Sequence, residues 1–399
     1  MEKRKIYMDY AATTPVKQEV VDIMQPYFTE YFGNASSFHG FGRDAKEALD
    51  ESREKVAALI NAQPSEIYFT GGGSESDNWA IEGAAFAARM KDPTKNHIIT
   101  SKIEHHAVLH TCEYLEKVHG FEVTYLEVDS KGRIDLQQLE EAITDATIII
   151  SVMFANNEIG TIEPIKEIGE IAKKHGVLFH TDAVQAAGNI PIDVKELNVD
   201  MMSMSSHKIY GPKGIGSMYM RRGVKIHNLI HGGEQEKGKR AGTENIPAIV
   251  GYGKAAEIAK ANLSHHVEEL TRLSRKLVDG VLERIPYTRV NGDQENRLPG
   301  TTNFAFEFIE GEGILLLLDM LGIAGSSGSA CTSGSLDPSH VLLSIGLIPE
   351  IAHGSLRLTV GDFTTEEDID YILENLPGVI EKLRSMSPLY DEAKQAGRI

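Results

Sequence analysis

The segment between residues 147 and 181 indicates the fold class most directly. It contains the apolar run Thr147-Ile-Ile-Ile-Ser-Val-Met153, a helical pattern over Ile165–His175 and a second apolar run, Val177-Leu-Phe-His-Thr181. Short runs that are apolar throughout are typical of strands covered on both faces. A strand, a helix and a second strand in this order predict a parallel βαβ unit, and therefore an α/β fold.

The same alternation continues on both sides of this segment. Further strand-like runs are Ile67–Thr70, His97–Thr100, Val123–Leu126, Met201–Ser205 and Gly216–Met220, with helical patterns at Ser74–Arg89, His106–Val118 and Asp193–Leu197. The seven runs together predict one mostly parallel sheet. In such sheets, ligands bind at the carboxyl ends of the strands, so the residues just after each run are candidates for a site.

After about residue 263 the pattern changes. The later elements are a helical stretch at His265–Arg284, a strand-like Thr302–Phe308, and helical patterns at Gly313–Leu321 and Glu366–Arg384. This order predicts a second, smaller α+β unit. We therefore expect a large domain over 16–262 and a small C-terminal domain, built from 1–15 and 263–399, that carries the Gly/Ser-rich loop 325–335.

Composition excludes several classes of protein. The 399 residues include 40 Lys and Arg against 58 Asp and Glu, for a net charge of −18, and only two cysteines. Nucleic acids and anionic membranes attract clustered positive charge, so neither is an expected partner. Two cysteines cannot form a disulfide framework, and the N-terminus lacks the apolar core of a signal peptide. We expect a cytoplasmic protein without a membrane span.

Two strand ends carry residues suited to a phosphate and to a ring nitrogen. Gly71-Gly-Gly-Ser-Glu-Ser-Asp-Asn78 joins a strand to a helix, where free backbone N–H groups can bind an anion, and Ser74 with Asp77 predicts a capping box. A plain helix cap after a glycine turn is an equal alternative. Asp182, at the end of another run, is either a buried structural acid or the partner of a protonated ring nitrogen, with Gln185 one turn later as a donor.

Two more strand ends carry a lysine and a histidine. Lys208 follows an apolar strand, where desolvation lowers a lysine pKa and frees the amine for a Schiff base; Ser205 and His207 beside it are candidate phosphate ligands. The glycines at 211–216 precede a strand instead of a helix, which argues against a dinucleotide fingerprint. His105 is placed to stack on a flat cofactor. A phosphate cradle, a ring-nitrogen acid and a Schiff-base lysine together indicate pyridoxal 5'-phosphate.

Three nearby residues raise a metal site as an alternative. His106 and His110 share a helix face close to His105, and Cys112 follows. No matching ligand motif accompanies them, so we expect no resident metal. Cys112 is expected to pack in the core as a small hydrophobe. The other thiol, Cys331, lies in the Gly/Ser-rich loop, whose composition predicts mobility.

With these motifs in order, the sequence resembles the cysteine desulfurases of the NifS/IscS kind, fold-type I pyridoxal-phosphate enzymes of the class V aminotransferase group. The resemblance covers nearly the whole chain. It rests on the following motifs: Tyr7–Pro15, Asn156–Gly160, Ser206–Gly214, Arg240–Asn245, Ser326–Cys331 and Pro338–Val341. It implies removal of sulfur from L-cysteine to give L-alanine and a persulfide on Cys331, which passes to an iron–sulfur scaffold of the IscU/NifU kind or to another acceptor protein.

The resemblance also implies roles for single residues. Lys208 would carry the cofactor, Asp182 would bind its ring nitrogen, Gln185 its phenolic oxygen, and His105 would stack on its ring. The phosphate ligands would be Gly73, Ser74, Ser205 and His207, together with Thr243 from the second subunit of a homodimer. Asn157, beside the cofactor, and Arg357 would hold the substrate carboxylate. Whether Cys331 also ligates an iron–sulfur cluster transiently stays open.

A few positions depart from the family pattern. Ser74 replaces a common threonine and keeps the hydroxyl, Phe154-Ala155 replaces a common His-Val pair, and Thr359 replaces a common serine. The tail from Ser387 to Ile399 shows no usable match, so the acceptor stays open. Alternatives are a selenocysteine lyase, another class V aminotransferase, and a non-catalytic sulfur carrier.

Overall fold

The computed structural model describes residues 4–327 and 338–397. The strands are β1 (Ile6–Tyr7), β2 (Ile67–Thr70), β3 (His97–Ser101), β4 (Glu122–Leu126), β5 (Thr147–Ser151), β6 (Leu178–Asp182), β7 (Met201–Ser205), β8 (Gly216–Met220), β9 (Thr288–Val290), β10 (Thr301–Phe306), β11 (Ile323–Ala324) and β12 (Ser355–Thr359). The helices are α1 (Gln18–Met24), α2 (Gly40–Leu59), α3 (Gly73–Lys91), α4 (His106–His119), α5 (Leu136–Ala142), α6 (Ile165–His175), α7 (Val194–Leu197), α8 (Gln235–Gly238), α9 (Ile246–Arg284), α10 (Gly311–Met320), α11 (His340–Ser344), α12 (Pro349–Ala352), α13 (Glu366–Ser385) and α14 (Pro388–Gln395).

Seven strands form the main sheet, in the order β2-β8-β7-β6-β5-β3-β4. The strands from β7 to β4 run parallel, whereas β8 is antiparallel to both of its neighbours. Ile149 and Ile150, adjacent in β5, belong to two different hydrophobic clusters. Because successive side chains of a strand point to opposite faces, the sheet is covered on both sides. The predicted mostly parallel seven-stranded sheet is confirmed.

A second core lies around a small antiparallel sheet with the order β12-β10-β9. Its hydrophobic cluster joins Phe304 and Leu356 of this sheet to Leu277 of α9 and Ile372 of α13. The N-terminal segment belongs to the same cluster, because β1 pairs with β11 and Met8 is fully buried there. This arrangement brings β12 and the residues after β1 towards the edge of the main sheet.

The helix α9 differs from the sequence prediction, which began a helix at His265. The helix already begins at Ile246 and runs without interruption for 39 residues, from one hydrophobic cluster to the other. The first part of the helix contains Gly251 and Gly253, and glycine is unfavourable inside a helix, so the sequence pattern did not predict this part. A Cβ on Gly253 would meet the Ser52 backbone at 2.7 Å, so this glycine serves close packing against α2. The predicted domain boundary at 262/263 falls inside α9 and stays a prediction. Despite this length, neither α9 nor any other described helix is apolar enough to cross a membrane.

Candidate functional site

A cavity of about 300 Å³ opens at the carboxyl ends of the central strands. Its lining includes ten predicted site residues: Gly73, Ser74, His105, Asn157, Asp182, Gln185, Ser205, His207, Lys208 and Arg357. Two predicted residues are not in this lining. Thr243 is exposed and lies outside it, and Cys331 falls outside the described residues.

At one end of the cavity, the start of α3 provides a cradle for an anion. A Cβ on Gly73 would lie 2.6 Å from Cγ2 of Val184, so the space there is kept only by a glycine. Gly72, the residue before the helix, has a φ of +156°, which favours glycine. The first-turn N–H groups of a 19-residue helix point into this space with the positive end of its dipole.

The predicted capping box at this helix is wrong. Ser74 lies inside the helix after Gly72, and no side chain caps the start. Instead, Glu75 turns back and accepts a hydrogen bond from the Gly71 N–H at 2.7 Å, while Arg240 pairs with its carboxylate at 2.8 Å. The Ser74 hydroxyl therefore remains at the cavity surface.

His207 is held as a neutral donor or acceptor beside the same cradle. Its Nδ1 lies 3.0 Å from the Thr13 hydroxyl. Burial, together with the charges of Lys208 and Lys213, lowers the pKa of His207 to about 4. A second open cavity of about 520 Å³ adjoins this end and shares Gly73, Ser74, Ser205 and His207 with the first.

The N-terminal segment positions Lys208. Its Nζ donates to the carbonyl oxygens of Ala11 at 2.5 Å and Ala12 at 2.8 Å. The Gln185 side chain donates to the same Ala11 carbonyl at 2.9 Å. Because these acceptors are backbone atoms of alanines distant in sequence, no residue pattern could have predicted them.

Asp182 and His105 face each other across the deepest part of the cavity. Asp182 ends β6, and its Oδ1 accepts the Val184 N–H at 2.9 Å. Burial raises the pKa of Asp182, while the charges of His105 and Lys208 oppose this rise. His105 caps α4 by accepting the Ala107 N–H at Nδ1, and burial lowers its pKa. The neutral ring therefore carries its proton at Nε2.

Sequence reasoning misassigned one acid of this cavity. Asp77 was predicted to cap α3, but it is buried and lines the cavity. One carboxylate oxygen of Asp77, one of Asp182 and a ring nitrogen of His105 lie within 4.8 Å of one another. The signal was available: Ser76, Asp77 and Ala80 fall on the face of α3 that packs on the sheet. A carboxylate on such a face requires partners.

Arg357 enters the cavity from the small sheet. It is 4% exposed, and its guanidinium donates to Asp9 Oδ1 and to the Asn157 carbonyl, both at 2.8 Å. Its buried Nε has no hydrogen-bond partner among the described residues. Asp9 was not predicted from the sequence, because it lies 348 positions away from Arg357.

The alternative metal site of the sequence analysis is not assembled. The rings of His106 and His110 lie 4.9 Å apart, yet the described residues hold only one group of three or more candidate ligands within 4.8 Å, and it is Asp77, His105 and Asp182. Cys112 is fully buried in a hydrophobic cluster, and burial raises the pKa of its thiol. Its prediction as a core residue is confirmed.

The donor set fits pyridoxal phosphate in three respects. The glycine-lined start of α3 suits a phosphate, a buried carboxyl group at Asp182 suits a protonated ring nitrogen, and the amine of Lys208 lies in the same cavity. A flat aromatic ring fits beside the imidazole of His105. A dinucleotide would need a glycine turn leading from a strand into a helix, whereas residues 211–216 lead into β8.

Comparison with known proteins gives a consistent result. The family model for class-V aminotransferases matches residues 6–372. A cysteine desulfurase IscS of Clostridium botulinum is 58% identical over 391 residues, 98% of each chain. A solved NifS-like protein is 40% identical with a TM-score of 0.89, covering 95% of this chain and 100% of that one. A solved structure of SspA in complex with cysteine is also 40% identical, with a TM-score of 0.80 over 90% of this chain and 100% of that one.

Proposed function

We propose, on the premise that the chain belongs to the class-V aminotransferase family and is a pyridoxal-phosphate-dependent cysteine desulfurase, that Cys331 takes the sulfur of L-cysteine as a persulfide and L-alanine is released. One observation carries the proposal: Lys208, Asp182 and Arg357, from three separate parts of the chain, line a single cavity. A non-catalytic sulfur carrier would need none of these three groups in one place.

Bound pyridoxal phosphate supplies an electron sink for the substrate Cα. We assign its phosphate to the first turn of α3, to the hydroxyls of Ser74 and Ser205, and to His207. Asp182 holds the proton of the ring nitrogen, because a buried carboxylate is stable only beside a cation or a donor. Gln185 would donate to the phenolic oxygen in place of its hydrogen bond to the Ala11 carbonyl.

Lys208 acts as the base that takes the proton from the substrate Cα. The carbonyls of Ala11 and Ala12 accept hydrogen bonds from its amine, so they hold the nitrogen at one position within the cavity. His105 keeps a proton at Nε2 because its Nδ1 accepts a backbone N–H. With the cofactor bound, His105 would lie against its ring as a neutral imidazole whose Nε2 proton is available for donation.

The substrate carboxylate binds to Arg357, with the Asn157 side chain as a second donor. Asp9 fixes one guanidinium nitrogen at 2.8 Å, and the buried Nε lacks a partner among the described residues. A carboxylate has two oxygens to offer this fork, and charge-assisted pairs of this kind are strong and directional. L-cysteine carries the required group, and the solved relative SspA forms a complex with cysteine.

The active form we propose is a cytoplasmic homodimer. Thr243 is exposed on each copy, and the phosphate end of the cavity is open, so Thr243 of the second copy could complete the phosphate site. Four exposed aromatic side chains offer apolar surface for such an interface: Phe28, Phe32, Phe38 and Phe41. The sulfur acceptor is a protein, such as an iron–sulfur scaffold, since a chain with net charge −18 repels nucleic acids.

The test compares two cysteine variants of the purified holoenzyme. Cys331→Ala should release no L-alanine from L-cysteine, whereas Cys112→Ala should retain the activity, because Cys112 is a core residue. Circular dichroism of both variants is the control for folding. L-alanine release by Cys331→Ala would contradict the proposal. Conversion of L-cysteine to its 2-oxo acid, with the sulfur retained, would favour an aminotransferase. Activity of that variant towards selenocysteine alone would favour a selenocysteine lyase.

A further inference from the structure

A chain of buried polar groups runs through the middle of the main sheet and ends at the cavity. The Ser151 hydroxyl lies 2.9 Å from Nδ1 of His180, and Nε2 of His180 lies 2.9 Å from the Ser203 hydroxyl. The Ser203 hydroxyl lies beside Asp77 and lowers the pKa of its carboxyl group, and Nε2 of His180 lies 3.6 Å from Oδ1 of Asp77. All four side chains are buried. Buried polar groups in such a chain are ordered by one another, so the position of Asp77 is fixed from inside the sheet.

Asp77, the last group of this chain, is buried, and its carboxyl group is not fully hydrogen-bonded among the described residues. Oδ1 of Asp77 has no hydrogen-bond partner among the described residues, and the nearest basic atom is Nε2 of His180 at 3.6 Å. His180 is fully buried, and burial lowers its pKa to about 3, so the ring is neutral. An ionised Asp77 would therefore be a buried anion beside a neutral imidazole, with the Ser203 hydroxyl as a partial compensation, which is costly.

The other charged groups around Asp77 make ionisation still less favourable. Asp182 has a carboxylate oxygen within 4.8 Å of it, and Glu104, also buried, adds a second acid. His105 also lies within 4.8 Å, and burial lowers its pKa, which favours the neutral ring. The Lys208 amine lines the same cavity, and its charge lowers the pKa of Asp182. Two carboxyl groups in one desolvated site cannot both be ionised cheaply, as the paired acids of aspartic proteases illustrate.

We propose that Asp77 is a positioning residue that stays protonated and directs its Oδ1 proton towards Asp182, which keeps Asp182 ionised and aimed at the ring nitrogen of the cofactor. The inference rests on the proposed function through the assignment of Asp182. The separation of the two carboxyl groups allows a short side-chain rotation or one bridging water between them. Asp182 thus receives one hydrogen bond from the Val184 N–H and one from Asp77, both of which favour its charged form.

Two variants of Asp77 distinguish the charge of its side chain from its ability to donate a hydrogen bond. Asp77→Asn keeps a neutral donor of the same shape, whereas Asp77→Ala removes the donor and leaves a gap. We expect Asp77→Asn to bind the cofactor within about threefold of wild type. Asp77→Ala should bind it about 10- to 100-fold more weakly, the range for a lost hydrogen bond to a charged group.

The experiment measures cofactor dissociation constants and the pH titration of cofactor absorbance in holoenzymes of wild type, Asp77→Asn, Asp77→Ala and Asp182→Asn. Infrared difference spectra of wild type against Asp77→Asn should contain the band of a protonated carboxyl group at neutral pH. If Asp77→Ala does not fold, Ser203→Ala replaces it; this variant cuts the polar chain and should shift the absorbance titration towards lower pH.

The Asp77 variants test the role of Asp77, and Asp182→Asn tests the assignment of Asp182. Equal loss of cofactor affinity in Asp77→Asn and Asp77→Ala, or no protonated carboxyl band, would overturn the inference, because Asp77 would then act as an anion. Wild-type affinity and titration in Asp77→Ala, or in its replacement, would also overturn it. A wild-type titration in Asp182→Asn would instead contradict the assignment of Asp182, and with it the proposed site.

Discussion

The ion pair between Arg53 and Glu236 is the contact whose loss should destabilise the chain most clearly. Their side chains are 8% and 3% exposed, and two hydrogen bonds of 2.6 and 2.7 Å join them. The same carboxylate accepts the Phe69 N–H of β2 at 2.9 Å. Glu236 therefore ties the segment that carries Arg240 and Thr243 to the strand that leads into the phosphate cradle.

Replacing Glu236 with alanine leaves a buried guanidinium that still donates to the Ile67 carbonyl at 2.8 Å but has lost its counter-charge. Removing one partner of a buried ion pair costs about 3–5 kcal/mol, because the other charge stays desolvated. The lost bond to the Phe69 N–H adds about 1 kcal/mol. We therefore expect Glu236→Ala to lower the free energy of unfolding by about 4–6 kcal/mol.

The assay is urea denaturation followed by circular dichroism, with Asp50→Ala as a matched control. Asp50 pairs with Lys46 on the surface, where both side chains are about half exposed, so its loss should cost less than about 1 kcal/mol. Adding Arg53→Met to Glu236→Ala removes the stranded charge and should recover part of the stability. A cost for Glu236→Ala no larger than that of the control would refute the reasoning.

Three further predictions concern the site and the sheet beneath it. Gly73→Ala should weaken cofactor binding at least tenfold by fluorescence titration, since its Cβ would lie 2.6 Å from Val184, while Gly378→Ala, with open space around it, should bind normally and gain about 0.5–1 kcal/mol of stability. Burial lowers the pKa of His180 to about 3, so this histidine takes up a proton near pH 6.5 in the unfolded state but stays neutral in the folded state. Between pH 6.5 and 4.5, wild type should therefore lose about 2–3 kcal/mol more stability than His180→Gln, as measured by urea denaturation. Arg357→Lys should raise KM for L-cysteine about 10- to 100-fold in steady-state kinetics, because a lysine cannot form the two-pronged carboxylate pair; an unchanged KM would place the substrate carboxylate elsewhere.

The sheet and most of the cavity lining could be predicted because local patterns encode them. The strands β2, β7 and β8 begin and end where their apolar runs do. Lys208 and Asp182 lie at or just after the carboxyl ends of apolar runs. Parallel strands bring these ends to one edge of the sheet, so the two residues could be expected in one site. Neither inference needed any long-range contact.

The parts that were missed depend on long-range packing. Asp77 fits a capping motif locally, yet the approach of β6 and β7 makes it a buried partner of Ser203. Asp9 and the Ala11 carbonyl enter the site only because β1 joins the small sheet unit at the other end of the chain. The early start of α9 was missed because Gly253, a helix breaker in isolation, is needed for close contact with α2.

The central claim is that one thiol of the chain receives the substrate sulfur. The most direct measurement is mass spectrometry of peptides from the holoenzyme after exposure to L-cysteine and alkylation under non-reducing conditions. The account predicts one added sulfur atom on the peptide that contains Cys331, none on the peptide that contains Cys112, and no added sulfur in Lys208→Ala. Added sulfur on Cys112, or L-alanine formation without any added sulfur on Cys331, would contradict it.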